Sequence, residues 1–153
     1  IEGFFALEVN ENMKPIQRTV HDFTKEETAS LFPQSGYESP DARKSRVQIL
    51  SVESLNDNRQ VIIGERQKQV IAESANGGNG TAFTEVYYFQ DVALIELDSS
   101  LNYVNGYQLE KGQVSANDRG EFSSVAWLNF DSGIDFFYND NPRNKRRRRK
   151  SKI

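Results

Sequence analysis

Short runs of apolar residues, alternating or continuous, recur from one end of the chain to the other, and Asn, Asp, Ser or Gly closes each of them. Runs of about four to eight residues suit strands, whose side chains alternate between two faces, and are too short for buried helices. Phe4–Val9 reads as the first strand, Asn10-Glu11-Asn12 as its turn, and Ile16–Val20 as the return. Val47–Leu55 is turned by Asn56-Asp57-Asn58 and returns through Val61-Ile62-Ile63. Tyr87–Leu97 is turned by Asp98-Ser99-Ser100 and returns along Tyr103–Leu109. Ser123–Phe130 is turned by Asp131-Ser132-Gly133 and returns along Ile134–Tyr138. Asx side chains suit such turns because they bond to nearby backbone and tolerate left-handed conformations. The pattern predicts an all-β chain of four antiparallel hairpins. A short helix is expected at Lys25–Leu31, where Thr24 followed by Glu27 has the form of a capping box.

The hairpins resemble one another. Glu8–Ile16 lies without gaps over Glu96–Val104, 88 residues further on, sharing acid, aliphatic, Asx turn and two later aliphatics. The second and fourth align more loosely, Asp57 over Asp131, 74 residues apart. The difference falls on one connection, since Lys25–Arg46 is much longer than Lys111–Glu121. This suggests an X-Y-X-Y order with repeat units at about 1–63 and 87–138, inside one β domain over 1–144. Two hairpins make four antiparallel strands, the content of a propeller blade, and two blades cannot close a ring. The expected fold is therefore a partial β-propeller, an association of copies of the chain, or a β-sandwich. Asn76–Gly80 and Phe32–Ser45 read as surface loops.

Composition narrows the chemistry. With no cysteine among 153 residues, a disulfide framework, a thiolate zinc site and a Cys nucleophile are all excluded. No run approaches the roughly eighteen apolar residues of a membrane helix. The start, Ile1-Glu2-Gly3-Phe4-Phe5, lacks an initiator Met and a basic-then-apolar leader, and reads as a mature or excerpted chain. The seven cations of 145–152, set against a net charge of −3, leave −10 on the remainder. So acidic a body repels phosphate, and nucleic-acid binding is not expected outside the tail. That tail, Lys145, Arg146, Arg147, Arg148, Arg149 and Lys150, is the sharpest compositional feature, and 145–153 reads as disordered and solvated.

No segment carries a catalytic pattern. His21, the only histidine, has Asp22 beside it, but neighbours on a strand point to opposite faces, so Asp22 cannot orient it as in a Ser-His-Asp device. It reads as a half-exposed strand-end residue. The glycines at 77, 78 and 80 lack the Lys-Ser/Thr of a phosphate loop. No metal or cofactor is expected. The only ion the loops suggest is calcium, at Asn56-Asp57-Asn58 and Asn139-Asp140-Asn141, without the spacing of an EF-hand. Tyr87, Tyr88, Phe89 and Tyr138 are the candidate ligand-binding residues, because consecutive aromatics on a strand place rings on both faces. Sheet-on-sheet burial is the competing role, as it is for Trp127.

Tyr87–Asp98, followed by a short turn, resembles the "aromatic-rich, Asp, aliphatic, Leu-Asp" strand of uncharacterised secreted β-repeat proteins from Bacteroidetes. Phe137–Asn144 is similar to their "F-N-D-N-P-x-N" segment, and Lys111-Gly112-Gln113 stands where they carry Lys-Lys-Gln. The likeness covers 83–144 and departs after the turn, where Tyr103 and Val104 replace a usual Trp. It implies an exported, β-propeller-like protein of no assigned activity and transfers no catalytic residue. The expected role is a non-enzymatic binding or scaffold module for a protein or glycan. A carbohydrate-active or hydrolytic domain with a carboxylate site is the first alternative, and nucleic-acid binding through the tail the second.

Overall fold

A computed structural model describes residues 2–32, 46–55, 58–76, 80–120, 123–131 and 133–139. Among the described residues the chain is all-β apart from one helix, and every strand pairing is antiparallel. The strands are β1 (Gly3–Val9), β2 (Pro15–Asp22), β3 (Arg46–Ser54), β4 (Gln60–Asn76), β5 (Gly80–Leu97), β6 (Tyr103–Leu109), β7 (Gln113–Ala116), β8 (Val125–Phe130) and β9 (Gly133–Tyr138). Helix α1 spans Lys25–Leu31. Its start is the expected capping box: Thr24 Oγ1 accepts from the Glu27 N–H, and the Glu27 carboxylate accepts from the Thr24 N–H.

The strands form three sheets: the ribbon β1-β2, a central sheet β3-β4-β5-β6 with β7 on β5, and the ribbon β8-β9. The four-strand meander is thus made of the second and third hairpins, which β4 and β5 join by pairing from Gln60↔Leu97 to Asn76↔Gly80. Alternation along these two strands gives the central sheet two apolar faces. Ile62, Ala93, Ile95 and Leu97 face the N-terminal ribbon and helix, packing with Phe4, Ala6, Phe23 and the fully buried Leu31. Val61, Ile63 and Val92 face the other way, onto Val125, Trp127, Ile134 and Phe136 of the C-terminal ribbon. Three layers result. The helix approaches β6 closely at Gly106, where a Cβ would stand 2.7 Å from Leu31 Cδ2, so no larger residue fits without moving it.

Three strands exceed what the sequence pattern suggests, β5 by beginning at Gly80 and not at Tyr87. β4 continues thirteen residues past Ile63, because the aromatic and β-branched first half of β5 offers a partner to a polar stretch that makes no apolar face of its own. β7 lies in the Lys111–Glu121 segment, which reads as a plain connection; it pairs Phe89↔Gln113 through Val86↔Ala116. Of the expected loops, 33–45 and 77–79 lie outside the described residues.

The first and third turns match residue for residue. The Asn10 N–H donates to the Lys14 carbonyl and the Met13 N–H to the Asn10 carbonyl, just as Asp98 does with Asn102 and Leu101 with Asp98. Asn10 Oδ1 accepts from the N–H groups of Asn12 and Lys14, and Asp98 Oδ1 from those of Ser100 and Asn102. Each is a three-residue hairpin loop ending in a left-handed residue, Met13 and Leu101 both at φ 58°. The second hairpin shares the bond pattern, through Leu55, Asn58 and Arg59. The fourth does not: Phe130 pairs directly with Gly133.

The two left-handed residues give a prediction of opposite signs. A left-handed conformation costs an L-residue roughly 1–2 kcal/mol, part of which glycine returns through its freer unfolded chain. Met13 is 76% exposed, so Met13→Gly is expected to stabilise the fold by about 0.5–1 kcal/mol. Leu101 is 4% exposed within the core, so Leu101→Gly is expected to destabilise it by about 2 kcal/mol or more. Urea unfolding of the pair checks both signs.

Candidate functional site

A cluster of buried charges lies where β4 carries a bulge between Glu65 and Gln67. Glu65 and Lys111 form an ion pair with both side chains fully buried. The second Glu65 oxygen accepts from Gln67 Nε2 at 2.7 Å and from Ser124 Oγ at 3.2 Å. Arg66 pairs with the buried Asp91 at 3.0 Å, and the other Asp91 oxygen accepts from the Lys111 N–H at 3.3 Å. Burial lowers the pKa of the Lys111 ammonium from its ordinary value, against the opposing pull of Glu65 and Asp91.

Three of the four candidate aromatics border this cluster. The Lys111 ammonium stands 5.4 Å from the centre of the Phe89 ring, and Lys68, also buried, 6.0 Å from that of Tyr88. The Phe89 ring is capped by Gly120 at φ +74°, where a Cβ would fall 2.4 Å from a ring carbon. The Tyr138 hydroxyl donates to the Glu110 carbonyl at 3.2 Å, and Gln113 Nε2 donates to the Asn139 carbonyl. Tyr87 stands apart: its hydroxyl donates to Glu85 at 2.5 Å and accepts from Gln69 at 3.2 Å. That bond to Glu85 raises the phenol's pKa. Each of these rings is engaged by residues of its own chain. The tail residues Lys145–Lys150, together with Asn56, Asp57, Asp140 and Asn141 of the calcium loops, lie outside the described residues.

No family model, curated protein or solved structure matches the chain. The chemistry of the cluster must therefore be judged on its geometry. A general acid or base needs a lone pair or proton within hydrogen-bond reach of a substrate. Glu65 has neither exposure nor a vacant oxygen, and Asp91 is buried with both oxygens engaged. The cluster acts as an internal clamp, tying β4, β5 and the segment before β7 together. Sequence reasoning missed it, although the signal was present: Glu65 and Asp91 interrupt two apolar strands, and Lys111 lies in the segment that carries the family resemblance.

His21 lies on the inward face of β2, within an aromatic group. Its ring stacks on Tyr103 at 4.5 Å and on Phe4 at 5.5 Å, while Phe23 meets it edge-on at 5.4 Å. The carboxylate that orients it is Glu27, at 3.2 Å, and not Asp22. The Thr24 N–H is the main cause holding the Glu27 pKa below its ordinary value, with His21 contributing. No group of three or more His, Asp or Glu able to hold a metal occurs among the described residues. Nor is any described helix long and apolar enough to cross a membrane.

Several carboxylates are held below their ordinary pKa: Glu53 by Ser51, Trp127 and Asn129, Asp98 by the N–H and side chain of Asn102, and Glu27 by Thr24. A lowered folded value means the unfolded chain binds protons more readily, so stability is full above the unfolded values and is lost as pH falls through the folded ones. Urea midpoints are expected to hold from neutral pH down to the usual carboxylate range and then fall. Glu53→Gln is expected to make that fall shallower; an unchanged acid limb would remove Glu53 from the account.

Proposed function

We propose that the chain is a non-enzymatic binding module of an exported β-repeat protein, and that it offers the outer faces of its terminal ribbons to a protein partner. The observation that carries this reading is the outer face of β1-β2. Phe5 and Val20, directly paired across the ribbon, are 61% and 68% exposed, and Leu7, Val9 and Ile16 extend the patch. The inner face of the same ribbon is already filled by Phe4, Ala6 and His21 against the core. Single exposed apolar residues are ordinary, whereas a contiguous row of them along a strand marks an interaction surface. Arg18, paired with Leu7, is the one charge in this patch and its other side chains are apolar, which favours protein over glycan. The repeat reading is supported by the matched turns at Asn10 and Asp98, whereas the central sheet joins one hairpin from each of the two expected units. Both oxygens of Glu65 and both of Asp91 already hold hydrogen bonds within the chain, which counts against these two acids as the carboxylate site of the hydrolytic alternative.

The test is a dye that fluoresces on exposed apolar surface, such as anilinonaphthalene sulfonate, added to dilute protein. Phe5→Asp with Val20→Asp is expected to lower the bound-dye signal, the C-terminal ribbon keeping its share, while leaving far-UV circular dichroism unchanged, because both side chains are largely outside the core. Equal dye binding by native and doubly substituted protein would refute the exposed face.

A further inference from the structure

The two outer ribbons are built alike. On the N-terminal ribbon the exposed cross-strand rows run Phe5↔Val20, then Leu7↔Arg18, then Val9↔Pro15. On the C-terminal ribbon they run Ala126↔Phe137, then Leu128↔Asp135, then Phe130↔Gly133. Each face therefore has an apolar row on either side of a central row made of one leucine and one charge. Leu128, Phe130 and Phe137 are 53%, 49% and 52% exposed, although the opposite face of their ribbon is packed on the core. The central charges have opposite sign, Arg18 on one face and Asp135 on the other. Neither has an ion-pair partner within the chain among the described residues.

From this complementarity we infer that a second copy of the chain is the partner, its C-terminal ribbon lying face to face on the N-terminal ribbon of the first. The inference rests on the binding-module reading and names the occupant of its surface. Sheets pack face to face when their apolar rows interdigitate, as both ribbons already do with the central sheet on their inner sides. Stacking Leu7 over Leu128 brings Arg18 over Asp135, so the apolar rows and the charges are satisfied in one register. A two-fold pairing of like faces instead sets like charges face to face, Arg18 on Arg18 or Asp135 on Asp135, when the axis follows that row, and sets each charge over a leucine without a counter-charge when the axis follows the strands; both are disfavoured. The association is accordingly head to tail, and each copy added leaves one free face of each kind at the ends of the array.

Sedimentation velocity of the full chain, from low micromolar to near-millimolar concentration, tests this. The native chain is expected to form concentration-dependent species that include sizes beyond a dimer. Arg18→Asp alone and Asp135→Arg alone are each expected to weaken association by about tenfold or more, since each sets like charges face to face. Mixing the two variants is expected to restore it, because the acidic N-terminal face of one meets the basic C-terminal face of the other. A native chain that stays monomeric, an association indifferent to Asp135→Arg, or a mixture no stronger than its components overturns the proposal. A monomeric chain whose apolar dye signal still depends on Phe5 and Val20 overturns the second copy as partner and leaves the binding face standing. Loss of that dependence in the monomer removes the binding face itself.

Discussion

Lys111→Ala is expected to destabilise the fold by about 3–5 kcal/mol, the usual cost of stranding one charge of a buried pair. The substitution leaves Glu65 fully buried with Gln67 and Ser124 as its remaining donors and no cation. It also removes the ammonium from the Phe89 face, which Gly120 covers from the loop after β7. Asp91 keeps Arg66, so the damage centres on Glu65. Replacing both partners with apolar residues, Glu65→Leu with Lys111→Met, is expected to recover most of the loss, because well-packed apolar substitutes for a buried ion pair are often neutral or stabilising. Gln67 and Ser124 lose an acceptor in that variant, which keeps the recovery below complete. Urea unfolding followed by circular dichroism separates the two variants. A cost near that of a surface pair, under about 1 kcal/mol for Lys111→Ala, would show that the pair is not buried in solution.

Leu31→Ala is expected to cost about 2–5 kcal/mol, the range for deleting a buried leucine whose surroundings collapse only in part. Leu31 is the only buried residue of α1 and is fully enclosed, in one core cluster with Ile62, Ala93 and Ile95 of the central sheet. A helix of seven residues has no stability of its own in water, so its persistence depends on this contact and on the Thr24–Glu27 cap. Losing the contact is expected to free α1 and with it Glu27, the carboxylate that orients His21. Amide exchange should therefore quicken across Lys25–Leu31 while the protection of β4 and β5 holds. Exchange that quickens equally in every strand would make the helix part of one cooperative unit with the sheet.

Much of this architecture was legible in the residues. Period-two apolarity and Asx turns locate the hairpins, since both are local: a strand's faces follow from alternation, and a turn's bonds reach only a few residues. The match between Glu8–Ile16 and Glu96–Val104 is carried through to identical turn hydrogen bonds and a left-handed residue at the same place. Thr24 and Glu27 mark the helix start for the same reason. Where the partner is distant, the pattern is silent. Nothing near Gln67–Asn76 announces a strand, because its order comes from β5 beside it. Gln113–Ala116 is likewise a strand only through Phe89 and its neighbours.

The candidate site divides along the same line. The aromatic run Tyr87-Tyr88-Phe89 stands out in the sequence, but its company of Lys68, Lys111 and Gly120 joins residues as far apart as 68 and 120. The sequence by itself determined that the chain is built of antiparallel hairpins, where they turn and which side chains alternate, because those properties depend on neighbours in the chain. Only the tertiary structure decided which hairpins share a sheet, which charges are buried together and which apolar faces stay open, because those depend on contacts between residues far apart in sequence. The exposed rows of Phe5↔Val20 and Ala126↔Phe137 have the same alternating pattern as the buried ones, and only the stacking of layers tells them apart.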